Sequence, residues 1–188
     1  VSGTNVDEIP GIIDLVVEHK ADIFAFARYC PTSSEKSTHL TPEQYRDLLE
    51  VCWQKFEDYK DSGTSFYLKD HLWTLFLYEK GLFKIPEGLK DNVIYDGCNC
   101  SNCHLTILPE GDVYACRRFE STVGNAFNEK LFDVFTGDKM NYFRAYDKFE
   151  KCSKCELLRF CRGCPAVTYG YTGNFYGTDP QCWKQIEN

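Results

Sequence analysis

The 188-residue sequence has no apolar run long enough to span a bilayer, so no helical membrane span is expected. It also lacks a basic field. Lys and Arg total 21 against 28 Asp and Glu, for a net charge of −7 and a pI near 5.1. Nothing in that balance would hold a nucleic acid or an anionic lipid surface, and neither is an expected partner. Internal repeats and low-complexity segments are missing too. A secreted disulfide framework fits poorly, because eleven cysteines is an odd number in a chain longer than such scaffolds usually are. Their placement is lopsided, with two in the first half and nine after residue 97. Metal binding is the better reading of the thiols, and a cytoplasmic location, where thiols stay reduced, is expected.

What is present is a globular composition with enough chain to bury the core of one or two domains. The first residues from Val1 read as the end of a buried element, so a fragment of a longer protein is expected. The most informative stretch is Cys152-Ser-Lys-Cys155-Glu-Leu-Leu-Arg-Phe-Cys161-Arg-Gly-Cys164, followed by Cys182. Four thiols within thirteen residues are too close together to be independent core cysteines. Cys-x-x-Cys steps put two sulfurs on one tight turn, within reach of one ion or cluster. Zinc held by thiolates and iron–sulfur clusters are the candidates.

Taken in order, residues 5–20 read as a helix, with Ile9, Ile12, Ile13, Val16 and Val17 at helical spacing. The apolar run 22–27 fits a strand covered on both faces, as in a parallel sheet. It ends at Arg28-Tyr-Cys-Pro31 and opens into the polar loop 32–39, the end of a strand where α/β folds bind ligands. Arg28 needs an anionic partner there. A cofactor contact and a structural ion pair are both open. Cys30 reads as a small buried hydrophobe. Thr41-Pro-Glu-Gln44 is a helix start with a capping box. The helix it opens places Tyr45, Leu48, Leu49, Cys52, Trp53 and Phe56 on one face, so Cys52 is core and not ligand. Residues 71–80 form a helix apolar nearly all round, expected between two domains, with His71 capping or lining the junction. Residues 83–96 read as a linker. Leu105 to Ala115 has two apolar runs around a Pro-Glu-Gly-Asp turn, a β-hairpin signature. It returns Cys116 towards Cys98, Cys100 and Cys103, and a helix over about 128–144 leads into the Cys152 stretch.

These cysteines resemble the SPASM domain of radical S-adenosylmethionine enzymes that mature peptides and proteins. The family pattern is a cysteine, a hairpin glycine four residues short of another cysteine, a gap, Cys-x2-Cys-x5-Cys-x3-Cys, and a last cysteine. Here Gly111-Asp-Val-Tyr-Ala-Cys116 is followed by Cys152, Cys155, Cys161, Cys164 and Cys182 in order. The match covers residues 98–183. Residues 1–60 resemble, more generically, the last βα units of the family's partial (β/α) barrel. The implied class is α/β plus α+β: terminal barrel units over 1–60, a connecting helix and linker over 61–96, and a small cysteine-rich SPASM domain over 97–188, with a β-hairpin and helices around two clusters.

The resemblance implies two auxiliary 4Fe–4S clusters. Cys152, Cys155, Cys161 and Cys182 would ligate the outer one, and Cys116 and Cys164 the inner one together with Cys98 and Cys103, Cys100 being the alternate. An inner cluster with three cysteines and an open iron also occurs in the family. Two features depart from the pattern. The last step, Cys161-Arg-Gly-Cys164, is one residue short. The Cys-x3-Cys-x2-Cys loop that holds the catalytic cluster and S-adenosylmethionine is absent, so both would belong to the full-length enzyme only. Sulfatase-maturing members carry a basic aspartate after the hairpin cysteine. Arg117 and Arg118 stand here instead, which disfavours formylglycine formation and suits an acidic peptide or charge balance beside a cluster. The implied partners are a peptide or protein substrate and an electron donor such as flavodoxin or ferredoxin. The alternative is a zinc-binding interaction module without catalysis.

Overall fold

Thr41 opens the longest helix. Its hydroxyl accepts from the Gln44 backbone N–H at 3.2 Å, and the Gln44 side chain accepts from the Thr41 N–H at 2.9 Å. With Pro42 fixing the first turn, these bonds start α2, Pro42–Asp58. The computed structural model, which describes residues 1–32 and 39–186, leaves most of the preceding polar loop outside the described residues. α2 buries Tyr45, Leu48, Leu49, Cys52 and Phe56 on one face. Before it, a short 3-10 turn, Val6–Glu8, leads into α1, Ile9–Glu18.

The strand β1, Ile23–Ala25, pairs in parallel with β2, Ser65–Tyr67, Phe24 facing Phe66. β2 lies within the 61–96 segment that the sequence reads as a connection, and three residues are too few to give a periodicity signal. The strand is not covered on both faces as expected: Ile23 and Ala25 are exposed and only Phe24 is buried. The helices pack on one side only, where Phe24 meets Phe56 edge-on and Phe56 stacks on Phe66 at 4.4 Å.

Asp70 starts the next helix by accepting the Leu72 N–H at 3.1 Å. His71 occupies the cap position but its side chain makes no capping bond. That helix, α3, Leu72–Glu79, buries Leu72, Trp73, Leu75 and Phe76 in the same core as Leu157 and Cys161 from the far end of the chain.

A second core is built on three antiparallel strands, β3 (Thr106–Ile107), β4 (Asp112–Tyr114) and β5 (Thr122–Asn125). β3 turns into β4 at Gly111, whose φ of +85° suits a residue without a Cβ. Val113, Val123, Val134, Met140, Phe149 and Val167 pack beneath the sheet. The single helix expected over 128–144 is two short ones, α4 (Leu131–Thr136) and α5 (Asp138–Tyr142). Gly137, extended at ψ 169°, ends the first and precedes the second. The last helix, α6, is Pro165–Thr172, stopped by Gly173 in the left-handed conformation. Among the described residues no helix is long and apolar enough to cross a membrane.

Arg28 ties the two cores together. Its side chain is fully buried. Nε donates to Asp70 at 3.0 Å, Nη1 to Asp179 Oδ1 at 2.7 Å and to Gln181 Oε1 at 3.0 Å, and Nη2 to Asp179 Oδ2 at 3.0 Å. The Tyr45 ring lies 5.2 Å from the guanidinium carbon. Burial alone would lower the Arg28 pKa, but Asp179 and Asp70 outweigh it and hold the pKa well above the usual range. Burial likewise pushes the Asp70 carboxyl up, and Arg28 outweighs it, with a net lowering.

Arg28→Met should leave two buried carboxylates without their cation and lower the unfolding free energy by about 3–5 kcal/mol, read by urea denaturation. Arg28→Lys should restore little of it, because an ammonium cannot fork across two carboxylates. Because the native pKa of Asp70 is depressed, its contribution is complete above the unfolded value of about 3.9 and is lost as pH falls through the native one. Denaturation midpoints measured across the acid range should therefore fall more gently in Asp70→Asn than in the parent.

Candidate metal centre

Four thiols, Cys98, Cys100, Cys116 and Cys164, line one cavity of about 520 Å³ between the end of β2 and the β3–β4 hairpin. Each is brought there by a different device. The Arg162 guanidinium donates to the carbonyls of Asp96, Leu158 and Cys98 at 3.0, 3.0 and 2.9 Å, which pins the Cys98 loop to the Cys152–Cys164 stretch. Cys100 follows in the same turn, its N–H 3.4 Å from the Cys98 sulfur. The next residue, Ser101, is buried, with Arg144 donating to its carbonyl at 2.8 Å. Cys116 leaves β4 with its N–H donated to Ser121 Oγ at 3.0 Å. Cys164 donates its N–H to Asp179 Oδ2 at 2.8 Å, and its sulfur accepts from Arg118 Nη1 at 3.1 Å.

Cys103, chosen from the resemblance as an inner ligand, is exposed and lies outside that cavity. The Asn102 and Cys103 N–H groups both close on the Asn99 carbonyl, a turn that carries Cys103 past the thiols and leaves Cys100 among them. Arg28 does not reach the cavity either, and its donors are occupied by Asp70, Asp179 and Gln181.

A second group forms on the other side of the Arg162-Gly163 step. Cys161 packs in the first core with Cys155 and Cys182, and Cys164, three residues on, packs in the second. Gly163, at φ +54°, makes the reversal between them. Cys152 completes the outer group: burial pushes its thiol up to about 12, with Cys182, Asp179 and Cys155 adding to the rise. Burial raises Cys161 as well, and Cys152 and Cys182 push in the same direction. The shortened last step of the motif therefore still sends neighbouring sulfurs to different groups.

In the cavity, burial with Cys164 and Cys116 nearby pushes Cys98 up to about 12. Cys100 and Cys116 share a hydrogen bond that raises Cys100 and lowers Cys116, the latter helped by the Arg118 N–H and by both arginine charges. Buried thiols crowded together resist ionisation unless a cation is present among them. Eight sulfurs in two groups, with a guanidinium on one of them, are a donor set suited to iron–sulfur clusters. Among the described residues no three Cys, His, Asp or Glu side chains converge as a site for one ion. Cys52 is buried in the α2 face and pushed up to about 12 by burial, as a core residue. Cys30 donates to the Ala166 carbonyl at 2.9 Å and packs against the second core without lining the cavity.

The rest of the cavity wall carries Lys69, His71, His104, Arg117 and Arg118. Burial lowers the pKa of both histidines, with Arg117 adding to the effect at His104. The cysteine pattern gave no sign of Lys69 or His104, which enter through the strand end and the hairpin. Asp179 was also missed, since nothing local in Thr178-Asp-Pro180 marks an ion-pair partner for a residue 151 positions earlier.

A Cβ on Gly163 would run into the Asp179 carboxylate. Gly163→Ala should thus strain a left-handed turn and displace Asp179 from both Arg28 and Cys164. A loss of roughly 2–4 kcal/mol is expected by denaturation, larger than that of Gly173→Ala, where nothing stands within 4 Å of the new Cβ.

Residues 98–165 match the SPASM family, described as an iron–sulfur cluster-binding domain. The chain is 27% identical over 157 residues to the AdoMet-dependent heme synthase of Oleidesulfovibrio alaskensis, covering 78% of this chain and 39% of that protein. It is 26% identical over 106 residues to the AdoMet-dependent heme synthase of Nitratidesulfovibrio vulgaris, covering 55% and 29%. The chain thus spans well under half the length of these relatives. Among solved structures, native anSMEcpe with bound AdoMet and Cp18Cys peptide superposes with a TM-score of 0.65 at 20% identity, over 97% of this chain and 51% of that one. Native anSMEcpe with bound AdoMet gives 0.61 at 18% identity, over 97% and 50%. Residues 98–165 thus match the SPASM iron–sulfur cluster-binding domain, and the chain is similar in sequence to part of the AdoMet-dependent heme synthases and in fold to part of anSMEcpe.

Proposed function

We propose that this chain is the auxiliary-cluster and substrate-facing part of a radical S-adenosylmethionine enzyme that modifies a ribosomally made peptide or protein. The observation that carries the reading is the division of the cysteines: Cys98, Cys100, Cys116 and Cys164 line one cavity, while Cys155, Cys161 and Cys182 pack in the first core with Cys152 close to Cys155 and Cys182. Cys98, Cys100, Cys116 and Cys164 would hold one 4Fe–4S cluster, and Cys152, Cys155, Cys161 and Cys182 the other. Such clusters, when bound, exchange single electrons at potentials set by charge, hydrogen bonds and exposure. The chain's own residues do the rest. Arg118 donates to the Cys164 sulfur and opposes the negative charge of the thiolates. Leu157 and Phe160, both buried, seat the outer loop and keep water from it.

In this reading residues 1–60, together with β2, are the last βα units of a partial barrel, 97–188 the SPASM domain, and the segment between them the connection. S-adenosylmethionine and a third cluster come with the full-length enzyme. Electrons arrive from a donor such as flavodoxin or ferredoxin in a reducing, cytoplasmic setting. The fold shared with a peptide-bound structure supports a peptide substrate. A second reading, a reaction like that named for the two heme synthases, is favoured by sequence similarity alone. Assays of the full-length enzyme for S-adenosylmethionine-dependent peptide modification and for heme formation separate the two.

Anaerobically purified protein should be brown and contain iron and acid-labile sulfide for two four-iron clusters. Cys100→Ala and Cys155→Ala should each remove about one cluster's iron. Cys103→Ala and Cys52→Ala should leave the iron unchanged, the latter costing roughly 1–2 kcal/mol of packing. Colourless protein with stoichiometric zinc would establish the binding-module alternative instead.

A further inference from the structure

The two arginines after Cys116 differ in their surroundings. Arg118 is committed, with one nitrogen on the Cys164 sulfur and another on the Arg28 carbonyl. Arg117 lines the cavity, is exposed, and has no hydrogen bond or ion pair among the described residues. Across the cavity Lys69, two residues past the end of β2, is in the same condition. The one carboxylate on the wall among the described residues, Asp70, is already held by Arg28. In a chain with a net charge of −7, a cavity wall with two cationic side chains that make no ion pair among the described residues is a local concentration of positive charge, which at Arg117 also favours the Cys116 thiolate.

We infer that the cavity takes a peptide segment bearing a carboxylate side chain, with the carboxylate held between Lys69 on the strand side and Arg117 on the hairpin side. This rests on the reading of the cavity as the substrate-facing wall of the cluster-binding domain. The guanidinium can take a carboxylate edge-on through two N–H groups, and the ammonium adds a point charge from the other core. Because the two cations come from different cores, the pair would also require both halves of the chain to be in register before substrate is held. Rim cations in this position select by charge and lose their grip as salt rises.

The test uses full-length, cluster-loaded protein and two dye-labelled peptides with blocked ends, Gly-Ser-Glu-Ser-Gly and Gly-Ser-Gln-Ser-Gly, read by fluorescence anisotropy. The Glu peptide should bind about tenfold more tightly than its Gln twin, and less so at high salt. Lys69→Gln and Arg117→Gln should each reduce that preference by about threefold or more, and the double variant should abolish it. Lys60→Gln, exposed and outside the cavity, should leave it intact. Iron and sulfide are measured on every variant. If Arg117→Gln loses iron, Lys69→Gln decides alone, since Lys69 is no neighbour in sequence of any thiol. Equal binding of the two peptides, no measurable binding of the Glu peptide, or a preference undiminished in Lys69→Gln overturns the inference. Absence of iron from the parent protein would overturn the cluster reading instead, so the two failures are told apart.

Discussion

Two carboxylates and one guanidinium share a site from which water is excluded, and the position of the cavity thiols depends on how that site is satisfied. Asp70 and Asp179 could not both stay ionised in the interior without Arg28, and Arg28 could not be buried without them. The residual negative charge is met by backbone donors: Leu72 gives its N–H to Asp70, and Cys164 and Gln181 give theirs to Asp179. The fork of Arg28 is planar and fixed, so its two partners are fixed relative to each other. One belongs to the start of α3 and the other to the loop before Cys182. The same Asp179 oxygen that meets Arg28 Nη2 receives the Cys164 N–H. A displacement at the end of β1 is thus transmitted in two bonds to a cavity sulfur.

The outer thiol loop is held by apolar packing, with ion pairs from Glu156 to Lys184 and from Arg159 to Asp91 at its surface. Between Cys155 and Cys161 the chain makes turns, with Leu158 donating to Cys155 and Cys161 to Leu157. Leu157 enters the first core, and Phe160 packs against Phe83 and Tyr95. The loop therefore has a defined shape from its own side chains. Arg162 then carries that shape to the Cys98 loop through three carbonyls. The two thiol groups are coupled through one short segment, residues 157–164, whose side chains alternate between core contacts and backbone contacts.

Where local chemistry decided the structure, the sequence was readable. The Thr41–Gln44 box, the buried face of α2 and the core role of Cys52 follow from spacing and capping alone. The start and end of α6 carried equally good signals, Pro165 and Gly173. Three-residue strands gave no usable period, which is why β2 passed as connection and β1 was taken as doubly covered. Gly137 could have warned that residues 128–144 would not be one helix. The choice between Cys100 and Cys103 depended on a turn around Asn99, and the fate of Arg28 on carboxylates 42 and 151 residues away. No window of sequence contains those pairs.

The cavity shows how one segment can serve charge in two ways. Arg117 and Arg118 lie in the turn that follows Cys116, beyond the end of β4. Arg118 turns inward, where a sulfur and a carbonyl take its guanidinium. Arg117 is left facing outward on the cavity rim. The inner arginine, bound to the Cys164 sulfur, lowers the cost of negative charge on the thiols. The outer one makes no such bond and keeps its donors for whatever enters. Adjacent positions of like charge thus separate into a structural and a recognition role because of the turn they occupy, and composition alone cannot tell them apart.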